Sequence, residues 1–315
     1  MSNGGDEFQI TRIVAGSAAR HAALHLAFDI EPPPAEGTSA APVADLLASV
    51  RRKTVSIDLL LGAYRGRELV TACLAAESPG AAALVFVPGK LETDVKYRAT
   101  VATLKSLQAL AWDRSIVILE VLVAPGRGVL GDLLKESGFR YLTRLRYLMR
   151  DATRKGRSFK AAHDLEWVEY APDRELLFQR TVEETYTQSQ DCPELTGLRR
   201  TAEVLAGHRA TGIFDPALWW VAMRGDKPVG VMLLNRIPHR PVLEVVYMGV
   251  AHAARRTGVA DALLQRALDV GARMGVVGLS LAVDQRNTPA RRMYARWDFV
   301  EKGARDAWIV TSPRT

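Results

Sequence analysis

The chain has 315 residues, 48% of them hydrophobic and 24% charged, an ordinary globular balance that is long for one domain and comfortable for two. No apolar run approaches the length of a membrane span, and the first seven residues carry neither a basic nor an apolar leader, so a cytoplasmic chain with no membrane partner is expected. The net charge of +7 divides as +3 over residues 1–150, +3 over 151–163 and +1 over 164–315, which reads as a solvated basic linker and argues against a nucleic-acid partner.

Residues 8–14 read as a strand and 18–28, rich in alanine and leucine, as a helix. The prolines between 32 and 42 mark a loop, and 45–53 a second helix. Residues 56–64 and 68–76 form a predicted hairpin around Arg65-Gly66-Arg67. A strand over 82–87, a helix over 93–112 and a strand over 116–123 follow. After the linker come a strand over 165–170, a helix over 172–187, a loop at Asp191-Cys192-Pro193-Glu194 and a helix over 198–208. A hairpin of 218–223 and 228–235 turns at Arg224-Gly225-Asp226-Lys227, and 304–310 is expected to close the second sheet. Trp219 and Trp220 point to opposite faces of their strand, one expected in the core and the other lining an acceptor cleft.

The two halves superpose at a constant offset of 160: Gly138-Phe139 falls on Asp298-Phe299, and 119–123 falls on 279–283. The expected organisation is a first domain over 1–150, a linker over 151–163 and a second domain over 164–315. Cys73 and Cys192 share no metal or redox spacing, and the histidines are read as forming no metal set.

The chemistry concentrates after residue 242. Leu243-Glu-Val-Val-Tyr-Met-Gly-Val250 is a bounded apolar run and so a buried strand. Arg255-Arg256-Thr257-Gly258-Val259-Ala260 follows, and from Val259 onward Leu263, Leu264, Ala267 and Leu268 recur at helical spacing. Gly258 therefore stands where a loop becomes a helix, beside unpaired N–H groups and the positive end of the macrodipole. With no Cβ in the way and two arginines at the mouth, this is an anion site of the phosphate-binding kind. A strand over 279–283 leads to Asn287-Thr-Pro-Ala-Arg-Arg-Met-Tyr294 and then Trp297-Asp298-Phe299.

Taken in this order, residues 218–310 closely resemble the core of the GNAT superfamily of acyl-CoA-dependent N-acyltransferases. The resemblance implies an α/β (α+β) architecture of two tandem domains, each a mixed, mostly antiparallel central sheet flanked by helices. It implies acetyl-CoA as cosubstrate, with the pantetheine lying like an added strand where the 243–250 strand splays from the next one. The thioester end is then placed along Met248, Gly249 and Val250, and the pyrophosphate over Arg255, Arg256, Thr257, Gly258, Val259 and Ala260. Asn287 matches an asparagine beside the pantetheine, and it also suits a helix N-cap. Tyr294 matches the tyrosine that protonates the departing thiolate. The first half has Pro88-Gly89-Lys90 where the anion loop would be, and Leu134 opposite Tyr294, so it resembles a domain that has lost this machinery.

Glu244, on the strand before the anion loop, resembles the general-base glutamate of the family's histone acetyltransferases. Period-two alternation would put it on one face with Val246 and Met248, where an apolar run raises a carboxyl pKa. It reads equally as the base or as a carboxylate that holds the acceptor electrostatically. The resulting expectation is acetyl transfer in the second domain to a primary amine, of a small molecule or a protein, without a metal. A non-catalytic acyl-CoA-binding or regulatory module is the alternative.

Overall fold

The computed structural model describes residues 8–14, 16–17, 19–30, 41–126, 128–151 and 162–313. The expected proline loop up to residue 40, and the basic linker over 152–161, lie outside the described residues. In chain order the strands and helices are β1 (Gln9–Arg12), α1 (Ala19–Ala27), α2 (Ala41–Arg51), β2 (Ser56–Arg65), β3 (Glu68–Ser78), β4 (Ala82–Phe86), α3 (Asp94–Asp113), β5 (Ile118–Val123), α4 (Gly128–Glu136) and β6 (Arg140–Asp151). They continue with β7 (Glu166–Glu169), α5 (Glu175–Tyr186), α6 (Thr201–Ala210), β8 (Trp219–Arg224), β9 (Lys227–Arg236), β10 (Val242–Val250), α7 (Val259–Arg273), β11 (Gly278–Asp284), α8 (Thr288–Arg296) and β12 (Val300–Thr311).

Two compact units result: Met1–Leu142 with Asp306–Thr315, and Thr143–Arg305. This division differs from the expected boundary at 150, and strand pairing is the reason. β6 from residue 145 to 151 runs antiparallel to β11, Leu145 opposite Asp284 and Asp151 opposite Gly278. β12 from 306 to 311 runs antiparallel to β5. The 304–310 strand therefore does not close the second sheet. Each repeat's last strand in sequence completes the other unit's sheet.

In the first unit β1, β2, β3 and β4 are antiparallel neighbours, β4 pairs parallel with β5, and the end of β12 follows. Leu104, Leu107, Leu130 and Leu134 of α3 and α4 pack on Val85, Val121 and Trp308, while Leu24 and Leu46 cover Leu60 and Leu74 on the other face. In the second unit the order is β6, β11, β10, β9, β8, β7, antiparallel except for β10 with β11. Leu263, Leu264, Ala267 and Leu268 of α7, the apolar stripe expected from the sequence, pack with Tyr294 and Trp297 on Leu234, Leu243 and Leu281. Phe178, Val182 and Leu205 of α5 and α6 cover Trp219, Val221 and Leu233 on the opposite face.

The offset of 160 is kept most closely over the last elements of each repeat. α8 falls on α4 and β12 on β6 with identical bounds, and β10 begins where β4 does. Gly138 and Asp298, which precede β6 and β12, both have positive φ, +88° and +60°. The repeats part at the helix that follows the β4 or β10 strand. In α3 the Thr93 side chain accepts from the Lys96 N–H at 3.1 Å and caps the helix. In α7 the N-cap is Gly258, at φ +86°, with no side chain to cap.

His21 and His25 stand four residues apart on α1 with ring centroids 4.5 Å apart, a spacing the sequence reading passed over. Among the described residues no group of three or more His, Cys, Asp and Glu is placed to hold a metal ion, and no helix is long and apolar enough to cross a membrane.

Candidate active site

β10 and β11 pair only from Val242 opposite Gly278 to Val245 opposite Leu281. Beyond that point each keeps its outer partner: β10 stays with β9 as far as Val250 opposite Gly230, and β11 with β6 as far as Asp284. The two strands therefore splay, and a cleft of about 520 Å³ opens between them. Met248, Gly249, Val250, Arg255, Arg256, Gly258, Ala260, Asn287 and Tyr294 all line it, joined by Gln188, Asp191 and Met293. Thr257, Val259 and Glu244 do not. Val259, the first residue of α7, is buried in the core, and the Thr257 hydroxyl donates to the Ala254 carbonyl at 2.7 Å.

At one end of the cleft α7 presents the open N-terminus described above. A left-handed φ favours glycine at 258, and the N–H groups of the first turn are left without intrahelical acceptors. Arg256 is exposed beside it, also at positive φ. Asn287 caps α8, its Oδ1 accepting from the Ala290 N–H at 3.2 Å, while its side chain still lines the cleft. Farther in, Tyr294 is buried, and its hydroxyl donates to Met248 Sδ at 3.9 Å. Burial, reinforced by the charge of Asp191, pushes the Tyr294 phenol up, so at neutral pH it holds its proton.

A bulge at Val246 changes what Glu244 faces. Val245 opposes Leu234 and Tyr247 opposes Leu233, so two steps along β10 match one along β9. Glu244 then shares a face with Asn235 and Tyr247, while Met248 turns to the opposite face with Met232. Alternation had put Glu244 and Met248 together, and the extra residue cancels it. The carboxyl of Glu244 is raised by burial alone. Its neighbour Asn235 is committed: Nδ2 donates to His208 O at 2.7 Å, and Oδ1 accepts from Trp219 Nε1 at 3.0 Å. Both Trp219 and Trp220 are wholly buried, so neither lines the cleft.

The α5 side supplies residues that motif reading did not find. Gly249 lets α5 approach β10 so closely that an added Cβ would sit 2.6 Å from Thr185 Oγ1. Thr185 and Tyr247 share a 2.6 Å hydrogen bond. Past Tyr186 the chain forms a polar rim of Gln188, Ser189, Gln190 and Asp191 along the cleft. Asp191 opens to the cleft, and crowding by protein raises its carboxyl even though Oδ1 accepts from the Asp284 N–H at 3.1 Å. Asp284, fully buried, accepts from Thr143 Oγ1 at 2.6 Å, from the Cys192 N–H at 3.1 Å and from Arg286. Burial alone would raise it, but these donors outweigh burial and hold its carboxyl below the usual range. Glu194 pairs with Arg286 instead of facing the cleft. Only a lone aspartate before Cys-Pro marked this rim in the sequence, too little to show that it folds back onto the splay.

Residues 182–299 match the sequence model described as the Acetyltransferase (GNAT) family. A mycothiol acetyltransferase from Beutenbergia cavernae is 33% identical over 87 residues, which cover 27% of this chain and 29% of that protein's length. Among solved structures, a GCN5-related N-acetyltransferase from Sphaerobacter thermophilus aligns over 98% of this chain and 96% of its own at TM-score 0.63 and 18% identity. A tandem GNAT protein from the clavulanic acid biosynthesis pathway aligns over 97% and 98% at TM-score 0.53 and 13% identity. At such identities the structures speak for the fold alone.

Proposed function

Taking residues 182–299 as a domain of the acetyltransferase (GNAT) family, whose model they match, we propose that the chain is an acyltransferase that moves an acetyl group from acetyl-CoA to a primary amine, with the chemistry in its second unit. The observation that carries this reading is the splay of β10 from β11, with an uncapped helix N-terminus at one end and a protonated, buried Tyr294 at the other. In the first unit β4 and β5 part in the same way, but Thr93 caps the N-terminus of α3 and Leu134 stands at the position of Tyr294.

In this reading the N–H groups at the start of α7, with Arg256, hold the pyrophosphate. The pantetheine lies along 248–250 with Asn287 near it. The amine nitrogen attacks the thioester carbonyl, backbone N–H groups near Met248–Val250 hold the developing oxyanion, the C–S bond breaks, Tyr294 gives its proton to the thiolate, and the surplus proton on the nitrogen passes through water to restore Tyr294. Bringing the amine to the thioester where β10 and β11 part supplies orientation. Glu244 takes the ammonium proton, reaching the acceptor from the α5 and α6 face of β10. Asp191, the carboxylate that lines the cleft beside Tyr294, adds negative charge where a cationic amine enters. The likeness to a mycothiol acetyltransferase supports acyl transfer in general and goes no further.

The test is titration of the full chain with acetyl-CoA by calorimetry, followed by thiol release against a panel of primary amines. One binding site, and thiol release that depends on the amine, are expected. No binding would overturn the reading, and binding without turnover of any amine would leave a non-catalytic acyl-CoA-binding module.

A further inference from the structure

Arg255 stands first in the anion loop, yet its guanidinium is already engaged. Nη2 donates to the carbonyls of Thr185 at 3.0 Å and Thr187 at 2.7 Å, and Nη1 to that of Gln188 at 3.0 Å. Nε donates to the Val250 carbonyl at 3.2 Å. The last carbonyls of a helix have no intrahelical donor and carry the negative end of its dipole, so a guanidinium satisfies both needs at the end of α5. Arg255 thus joins three pieces of the cleft wall: the end of β10, the end of α5 and the first residue of the polar rim. Arg256, one residue on, is exposed and beside the α7 N-terminus, and among the described residues no carboxylate forms an ion pair with it.

We infer that Arg255 is a positioning residue that couples the phosphate loop to the acceptor-side rim over 188–191, while Arg256 supplies the loop's charge to the anion. The inference rests on the acyl-CoA reading of the cleft. A ligand that immobilises residues 256–260 also immobilises the backbone from which Arg255 reaches, and so stiffens its clasp on α5 and the rim. The rim carries Asp191, whose carboxylate faces the acceptor path, and its far end is pinned separately by Cys192 N–H on Asp284. Cofactor occupancy is in this way transmitted to the place where the amine docks, with no contact between the rim and the phosphates required. A lysine cannot substitute, because one ammonium on a flexible stem does not span carbonyls from three different segments.

The experiment is amide hydrogen exchange at Ser189, Asp191 and Cys192, with and without saturating acetyl-CoA, on the full chain and its Arg255→Met, Arg255→Lys and Arg256→Met variants. These amides donate to Tyr186 O, Ser189 Oγ and Asp284 Oδ2, so their protection reports the rim directly. In the parent, acetyl-CoA slows their exchange. In Arg255→Met that slowing disappears while acetyl-CoA affinity, by calorimetry, stays within ~3-fold; Arg256→Met keeps the slowing at saturation but weakens binding by about 10-fold or more, one charge-assisted contact. Arg255→Lys behaves as Arg255→Met and serves if the methionine variant fails to fold. Equal losses of affinity in the 255 and 256 variants, or an intact ligand response of the rim in Arg255→Lys, would overturn the inference. If the parent does not bind acetyl-CoA, the reading beneath it falls instead. The ligand-free exchange rates then still show whether Arg255 clasps the rim.

Discussion

Gly249→Ala tests how the cleft wall is built. A Cβ at 249 would lie 2.6, 2.7 and 2.8 Å from Oγ1, Cβ and Cγ2 of Thr185, so α5 and β10 must separate by ~1 Å to regain van der Waals contact. Thr185 has no easy escape. It is β-branched and buried, and its hydroxyl donates to Val182 O at 2.6 Å while sharing the 2.6 Å bond with Tyr247. Overpacking of this kind costs about 1–3 kcal/mol, and breaking the Thr185–Tyr247 pair brings the total to about 2–5 kcal/mol. Urea unfolding of the full chain followed by tryptophan fluorescence reads it, since Trp219 packs with Phe178 of α5. Gly303→Ala is the control: nothing lies within 4 Å of its added Cβ, and its effect should stay within ~0.5 kcal/mol. Matching midpoints for the two variants would refute the seating of α5 against β10, and with it the shape of the cleft.

Gly258→Glu places a carboxylate and a side chain where phosphate oxygens approach, at a positive φ, and should abolish acetyl-CoA binding by calorimetry; retained affinity would move the anion site elsewhere. Tyr294→Phe should lower kcat by about 10²–10⁴-fold with acetyl-CoA affinity nearly unchanged, the pattern of a group needed only in the transition state. Glu244→Gln should also cut kcat/KM and remove the acidic limb of its pH profile, whereas an acceptor-anchoring role would raise the acceptor KM and keep that limb. Burial raises the folded pKa of Glu244, so the parent loses stability as pH rises from the ordinary glutamate range toward that raised value. Glu244→Gln should therefore unfold at higher urea than the parent at pH 7, an advantage that vanishes near pH 4. Asp284 has the opposite sign. Its depressed carboxyl stabilises the fold above the ordinary aspartate range, and that stability is lost as pH falls below it, an acid sensitivity that Asp284→Asn should flatten.

Much of the fold was legible because local chemistry dictates it. Hydrophobic period marked α7 and β10, the offset of 160 marked the repeat, and a glycine between two arginines and an apolar stripe marked an uncapped helix start. Asn287 seven residues before Tyr294 placed both on one short helix and its cap. What needed the tertiary structure was every choice among partners. A strand pattern marks an extended segment but not the sheet edge that receives it, so the exchange of last strands between the repeats was invisible. One bulged residue at Val246 turned Met248 away from Glu244, because a single insertion in a two-residue period inverts every side chain beyond it. The guanidinium of Arg255 reads in sequence as a phosphate ligand, and the fully buried Asp284 belongs to no motif. Their hydrogen-bond partners come from segments about 70 to 140 residues away, a separation that no local pattern encodes and only the packed chain supplies.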